Sequence, residues 1–574
     1  MLILGVHYYG HNTSVCLFKN NNLIFAIEEE RLSRKKNDGA VPYKSITYIL
    51  KKFNLKINDI NAICCATIPE RLIKEKYLKF TINNFNLSKN IFFEKKSIQN
   101  IFFLNNFEKN FKRKLDYKNK IFFFNHHLCH MYAAYYLSGF KKCICISIDG
   151  LGEIESTTIG IAHNNNINIE KKINYPHSLG KVYEAITFFL KFNPNTASGT
   201  VMALAAYGNP NAKLINGNTY YNIFKKIIKK DKRNLYKVDL SWFNYPYTRK
   251  GWVSKKFVDF FKNNFDKKNI SSLEHKRNIA AALQKRFEDI YSLIINFAKK
   301  KYNLNKVVIS GGCALNCKAN GELYKLKIKE IYIQPAAGDA GLSIGAAKIG
   351  YELLKKNKKI TVNKKFKHTY FGPEVEKINS KLIKYLKSKN LNYQKIKNVE
   401  KFSANLLSKG KVIGWVQGKM EFGPRALGNR SILACTNNIK IKDHINKNIK
   451  NREMFRPFAP AVLTEKKNVY FKNVKNNSYF MLTANIVKTN KKEDVIATTH
   501  IDGSARVQLV EKNLNKRFYK LIYEYYKITK IPVLLNTSFN GKDIPIVCTS
   551  KDAIDEFLRI KLDYLIINDY CIYK

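Results

Sequence analysis

The sequence predicts an α/β protein with a duplicated N-terminal domain followed by a second, smaller α+β domain. Three observations predict it. The chain has 574 residues, too many for one ordinary core at about 100 to 200 residues per domain. A strand, turn, strand, turn, strand, helix pattern occurs twice in its first third. Beyond a polar, lysine-rich stretch, "KKNKKITVNKKFKH", the pattern of helices and strands starts afresh. Domains are therefore expected at 1–355 and 366–574.

The first pattern opens with "LILGV", "TSVCLF" and "LIFAIEEE", which alternate around the turns "YGHN" and "KNNN"; "VPYKSITYILKKFN" then reads as a helix. The same order returns as "CICISIDG", "STTIGIA" and "IEKKINY", followed by the helical "GKVYEAITFFLKF". Such a repeat implies two like halves with a ligand in the cleft between them. Residues 277–303 read as a long amphipathic helix, and "KVVIS" as a buried strand entering "GGCALNCKANG". A glycine pair there lets a ligand approach the backbone, with Asn316 and Asn320 one helical turn apart beyond it. "IYIQP" is a further strand, "AAGDAG" a tight turn and "LSIGAAKIGYELL" a helix. In the second domain, helices near 375–388 and 399–409 precede the strand "KVIGWV", the loop "QGKMEFGPRALGNRS" and "IPVLLNTSFNG".

Hydrophobic content of 45% is ample for burial. No window approaches the roughly 18 apolar residues of a membrane helix, and "MLILGV" lacks the flanks of a signal peptide; a soluble, cytoplasmic protein without membrane insertion is expected. The eleven cysteines follow no disulfide framework and form no CxxC pair, so they read as small buried hydrophobes rather than bridges or a zinc knuckle. A net charge of +57 first points to nucleic acid. The excess is lysine scattered along the chain, however, which reads as solvated surface and not as a nucleic-acid face. Arginine is scarce, with fifteen residues, and its planar fork binds phosphate or carboxylate in a way lysine cannot. The arginines gather as Arg31 and Arg34, then Arg425, Arg430, Arg452, Arg456 and Arg506, so an anion site is expected in the last third.

Chemistry concentrates in a few stretches. In "HHLCH", His126 and His130 stand at i and i+4 and face one way on a helix, either gripping one metal or merely packing and capping; His127 points elsewhere. Asp149 in "SIDG" and Asp339 in "AGDAG" each follow a strand, and the His/His/Asp/Asp set suits Fe(II), Mn or Zn. The glycines of "DGLGE" and "SGGCALN" either cradle phosphates or make turns. "EFGPRALGNRS" and "NREMFRPFAP" hold their arginines on loops stiffened by proline. "NTSFNG" offers Asn536, Ser538 and Asn540.

These motifs, in order "HHLCHMYAA", "SIDG", "SGGCALNCKANG", "PAAGDAGLSIGAA", "GKMEFGPRALGNRSILA", "NREMFRPFAPAVL", "HIDGSARVQ" and "LLNTSFNGKDIPIV", resemble the O-carbamoyltransferases that act on nodulation factors, cephalosporins and aminoglycosides. The resemblance runs the whole length of the chain. It implies an N-terminal domain of the actin/hexokinase type, related to the tRNA threonylcarbamoyladenosine synthesis protein, and a YrdC-like α+β C-terminal domain. It also implies an activity: carbamoyl phosphate is hydrolysed, the carbamate is coupled to ATP in the C-terminal domain as carbamoyladenylate, and the carbamoyl group passes to a hydroxyl in the metal-containing N-terminal domain. The acceptor would be a small molecule or saccharide.

By the same resemblance, His126, His130, Asp149 and Asp339 would hold a divalent metal, with Fe(II) the first expectation and Mg a further one. Gly311, Gly312, Asn316 and Asn320 would lie along the adenylate, with Asp149 and Gly150 on its other side. Arg425, Lys450, Arg456, Arg506 and Ser538 would bind carbamoyl phosphate and the ATP phosphates. His11 would be the general base and Lys36 an acceptor-side cation. Three positions depart from the family pattern: Asn12 stands where Asp follows the turn histidine, Thr200 where lysine is common, and Lys419 where arginine is common. A tRNA-modifying threonylcarbamoyl-transfer enzyme and a sugar kinase or nucleotide-binding module of the actin class are the rival readings.

Overall fold

A computed structural model describes residues 1–79, 95–248, 251–266, 269–356, 363–475 and 478–574. Part of the lysine-rich stretch expected as a linker, 357–362, lies outside the described residues. The chain forms two compact bodies. The larger comprises Met1–Gly10, Ser14–Ile24 and Ile46–Lys365; the smaller comprises His11–Thr13, Phe25–Ser45 and Phe366–Lys574.

The larger body carries the duplication. Strands β1 (Leu2–His7), β2 (Ser14–Lys19), β3 (Asn22–Glu28, of which Phe25–Glu28 group with the smaller body), β4 (Ala62–Cys65) and β5 (Ile121–Phe123) lie in the order β3-β2-β1-β4-β5. Next come β6 (Lys142–Ile148), β7 (Glu155–His163) and β8 (Asn166–Asn174), a short ribbon of β9 (Ile228–Asp231) and β10 (Leu235–Val238), then β11 (Lys306–Ser310) and β12 (Glu330–Ile333). The second large sheet has the order β12-β11-β6-β7-β8. Both sheets thus run third, second, first, fourth, fifth in their own chain order. In each, the first strand pairs antiparallel with the second and parallel with the fourth, as expected of the repeated hairpin-and-crossover unit.

Burial explains the strand composition. Ile3, Leu4 and Val6 of β1 and Val307, Val308 and Ile309 of β11 are fully buried, because central strands are covered on both faces. The helix Leu342–Leu354 packs against β1 and against the helix His126–Ser138. The amphipathic helix spans Ser272–Tyr302, is capped by Ser271, and packs against the helix Ser198–Ala205. All eleven cysteines are free and all but Cys313 are buried, as small core residues. No helix among the described residues is long and apolar enough to cross a membrane.

The smaller body is built on one mixed sheet. Its strands include β13 (Asn392–Lys395), β14 (Ile413–Val416), β15 (Arg430–Ala434), β16 (Ala459–Leu463), β17 (Ala484–Ile486), β18 (Ser504–Arg506), β19 (Gln508–Val510), β20 (Val533–Ser538), β21 (Tyr564–Ile567) and β22 (Tyr570–Tyr573). Eight of these form the order β13-β22-β21-β14-β15-β20-β16-β19. The helices Val399–Ser408 and Lys516–Thr529 pack on each other.

Candidate functional site

The larger body assembles a His/Asp cluster from three chain segments. Asn125 caps the helix His126–Ser138, its Oδ1 accepting from Leu128 N–H at 3.0 Å. The buried carboxylate of Glu153 accepts the His126 backbone N–H at 3.1 Å and Asn125 Nδ2 at 2.6 Å, a negative charge placed on a helix N-terminus where the dipole favours it. The first turn so fixed directs His126 and His130 to one side. Asp149 leaves the end of β6, beside β11, and Asp339 precedes the helix Leu342–Leu354.

His126 Nε2 stands 3.4 Å from Asp149 Oδ2 and 3.7 Å from Asp339 Oδ1. His130 Nε2 stands 4.0 Å from Asp149 Oδ2 and 3.8 Å from Asp339 Oδ1. One ligand atom from each residue falls within 4.8 Å of the others. Ligands about 2.1 Å from a common ion stand roughly 3.4 Å apart in a tetrahedral arrangement, so the spacing fits a shared cation. Both Nε2 atoms are buried without a hydrogen-bond partner among the described residues, an expensive state that a metal would relieve. His7, ending β1, is a further candidate that sequence reasoning passed over, with Nε2 at 3.6 Å from Asp339 Oδ2. His127 faces away, its Nδ1 at 3.0 Å from Thr158 Oγ1.

Electrostatics also favour a positive charge here. Burial opposes an imidazolium at His126, yet interaction with Asp149 and Asp339 outweighs it and lifts the residue to about 9. Burial, then the His126 charge, holds His130 down to about 3. Asp149 is also buried, but its histidine neighbours, His126 first, take it well below the usual carboxylate range. Of the two imidazoles, His126 therefore carries a positive charge at neutral pH and His130 does not.

Beside this cluster, Gly311 adopts φ +85°, and a Cβ there would stand 2.2 Å from Ile148 O; only glycine fits. Gly312 N–H donates to Asp149 Oδ1 at 2.8 Å. Asn316 caps the helix Cys317–Glu322 through Ala319 N–H and donates to Gln284 Oε1 at 3.0 Å. Asn320 donates to Ala314 O at 2.7 Å and accepts from Tyr291 at 2.7 Å. Both amides therefore shape the loop from within. Gly150 lies against Lys181 and Glu184, which pair at 2.7 Å.

The smaller body gathers cations. Burial, then the charges of Arg456 and Arg506, drives Arg452 well below the usual arginine range, with Arg425 adding to them and Glu453 opposing. Burial, then Arg452, does the same to Lys450; Arg456 and Lys36 add to it and Glu556 opposes. Arg425, Arg452, Arg456, Arg506, Lys450 and Lys36 therefore share one field. Lys450 Nζ is held by Ser538 O at 2.5 Å and by Asn540 O and Oδ1 at 2.7 and 2.9 Å, which fixes the loop after β20. The loop at Arg425 is pinned as well. Glu421 Oε1 accepts from Leu427 and Asn429 N–H at 2.6 and 2.8 Å, and Leu427 O accepts from Tyr370 and Gln508.

One arginine is corrected. Arg430, expected in the anion site, is fully buried and donates to the carbonyls of Gln417, Asn429, Cys548, Gly418 and Pro373 at 2.7 to 3.2 Å; its fork is consumed in holding backbone together. Arg31 pairs with Glu28 and Glu30, and Arg34 donates to Pro545 and Ile546 carbonyls. His11 is exposed, groups with the smaller body, and has Nδ1 at 2.9 Å from Asn12 Oδ1. Lys36 also groups with the smaller body, 3.4 Å from Glu30.

Comparison with known proteins reaches both bodies. The family model "Carbamoyltransferase N-terminus" matches residues 2–348 and "Carbamoyltransferase C-terminus" matches 404–574. The nodulation protein NolNO of Sinorhizobium fredii is 30% identical, over 99% of this chain and 79% of its own. An uncharacterized protein of Methanocaldococcus jannaschii is 34% identical over 100% of both chains. Among solved structures, HypF of T. kodakarensis gives a TM-score of 0.34 at 11% identity, covering 62% of this chain and 47% of that one. Matched at both ends by the two halves of one family and along its length by such relatives, the chain belongs to the carbamoyltransferase family and is a transferase.

Proposed function

We propose that this transferase is an ATP-dependent O-carbamoyltransferase, converting carbamoyl phosphate and ATP to carbamoyladenylate and passing the carbamoyl group to a hydroxyl of a small-molecule or saccharide acceptor. The observation that carries the proposal is the division of labour between two clusters: cations in one body, a His/Asp donor set in the other. The saccharide class is supported by the nodulation proteins among the relatives.

In the first stage, water cleaves carbamoyl phosphate to carbamate and phosphate. A carbamate oxygen then attacks the α-phosphorus of ATP and pyrophosphate leaves. Arg425, Arg452, Arg456 and Arg506 offset the charge on the transferring groups; planar forks suit this better than the point charge of lysine. Lys450 holds Ser538 and Asn540 in place beside them. In the second stage, the acceptor oxygen attacks the carbamoyl carbon and AMP leaves. His11, which groups with the smaller body, offers Nε2 as a general base, because Asn12 Oδ1 accepts from its Nδ1–H. Gly311 and Gly312 let the adenylate approach the backbone. His126, His130, Asp149 and Asp339 hold a divalent ion, Fe(II) being the first candidate. That ion, when bound, supplies Lewis acidity typically worth several kcal/mol.

The test is pyrophosphate release from ATP by purified protein, with and without carbamoyl phosphate. Release that needs carbamoyl phosphate, vanishes in Arg425→Ala and survives in His126→Ala is expected. Release that ignores carbamoyl phosphate rejects adenylation.

A further inference from the structure

The segment Phe25–Ser45 comes from the start of the chain yet belongs to the smaller body. Leu32 packs against Met420, Ile546 and Cys548 there. Its charged residues make an unusual contact. Glu28 Oε1 accepts the Gly423 N–H at 2.9 Å, and Arg31 Nη2 donates to Gly423 O at 3.0 Å. The same Arg31 donates to Glu28 Oε2 at 2.7 Å and to Glu30 Oε1 at 2.5 Å. One buried ion pair thus holds both polar groups of a single residue 392 positions further along the chain.

Gly423 has φ +112°, a conformation that residues with side chains rarely adopt. Pro424 follows with its ring-fixed φ, and Arg425 comes next. An orientation imposed at Gly423 therefore reaches Arg425 with little freedom in between. From the other side, Glu421 holds the Leu427 and Asn429 N–H groups. Stability alone does not explain the ion pair, since a buried pair is seldom better than an apolar one of the same volume. Fixing direction does explain it.

We infer that Glu28 and Arg31 are positioning residues, a clamp on Gly423 that aims Arg425 at the phosphate site. The inference rests on the reading that the arginine cluster binds phosphates. Glu30 extends the clamp, accepting from Asn37 N–H at 2.6 Å and lying 3.4 Å from Lys36 Nζ. The cation whose charge reaches Lys450 is thereby tied to the same support.

The experiment titrates inorganic pyrophosphate into full-length protein by calorimetry and records the unfolding midpoint. Arg31→Lys keeps the charge but loses the fork. It is expected to weaken binding about tenfold, as Arg425→Ala does, and in turnover to raise the KM for carbamoyl phosphate more than it lowers kcat. The double variant is expected to bind no more weakly than Arg425→Ala alone, because Arg31 acts only through Arg425. Arg34→Lys disturbs the same segment away from Gly423 and is expected to leave binding within about twofold. Should Arg31→Lys not fold, Glu28→Gln replaces it, read by faster amide exchange across 421–429 together with weaker binding. Additive losses, equal losses in Arg34→Lys, or failure of both clamp variants to fold overturn the positioning role alone. Unchanged binding in Arg425→Ala rejects the phosphate reading and the positioning role with it.

Discussion

Asp149 Oδ1 accepts the backbone N–H of Gly312 at 2.8 Å, and this bond turns the other carboxylate oxygen toward His126. Asparagine at 149 can keep the Gly312 bond through its carbonyl oxygen, so the loop survives while the charge facing the histidines is lost. Asp149→Asn is therefore expected to fold normally, to retain divalent metal at least about tenfold more weakly, and to keep carbamoyl-phosphate-dependent pyrophosphate release while losing acceptor carbamoylation. Elemental analysis after reconstitution checks this; wild-type metal stoichiometry in the variant would remove Asp149 from the ligand set.

The pH dependence of stability follows from the two histidines. His126 is lifted from 6.5 to about 9 in the folded chain, so its contribution is complete below pH 6.5 and is lost as pH rises through 9. His130 is lowered from 6.5 to about 3, so it costs stability as pH falls from 6.5 toward 3. Chelator-treated protein should have its unfolding midpoint fall on both sides of pH 6.5 through this pair. Divalent metal needs deprotonated imidazole, so the stabilisation it gives should grow between pH 6.5 and 9. Thermal scans across that window, with chelator or with Zn or Mn, decide it; parallel curves would count against a shared ion.

Arg430 should behave as a staple. Its guanidinium donates to five carbonyls, four of them buried, and lysine has three donors with no planar fork to span them. Arg430→Lys is expected to destabilise the smaller body by about 3 kcal/mol or more through carbonyls left unpaired. Pyrophosphate affinity should change little where the protein remains folded. A variant with wild-type stability and abolished binding would return Arg430 to the anion site.

Much of this was legible in the sequence because local periodicity carries it. Alternating strands around Asn and Gly turns announced both repeats, and the i, i+4 spacing announced the face shared by His126 and His130. What stayed hidden depends on long-range packing. His7 is one strand-end histidine with no local signature, and only pairing of β1 with β4 and packing of the helix after Asp339 bring it near the cluster. Arg425 and Arg430 share one glycine-rich loop and look alike in sequence; β15 begins at Arg430 and carries its fork into the core. The segment around Glu28 reads as the end of a strand, and nothing local shows that it closes on Gly423.

Arg452 provides the sharpest test of the anion site. It is partly committed, donating to Asn446 at 2.8 Å and resting 4.7 Å from the Phe458 ring. It is nonetheless half-buried among like charges, which with partial desolvation push its proton affinity well below normal. Burying a cation beside other cations costs stability unless an anion joins them. Removing the charge while keeping apolar volume, as in Arg452→Met, should leave the unliganded midpoint equal or higher, and should abolish most of the upward shift that saturating pyrophosphate gives the wild type. That shift should also shrink in high salt, which screens the ligand's attraction. Differential scanning with and without pyrophosphate measures both terms. A lower unliganded midpoint with an intact pyrophosphate shift would show that Arg452 serves packing and not the ligand.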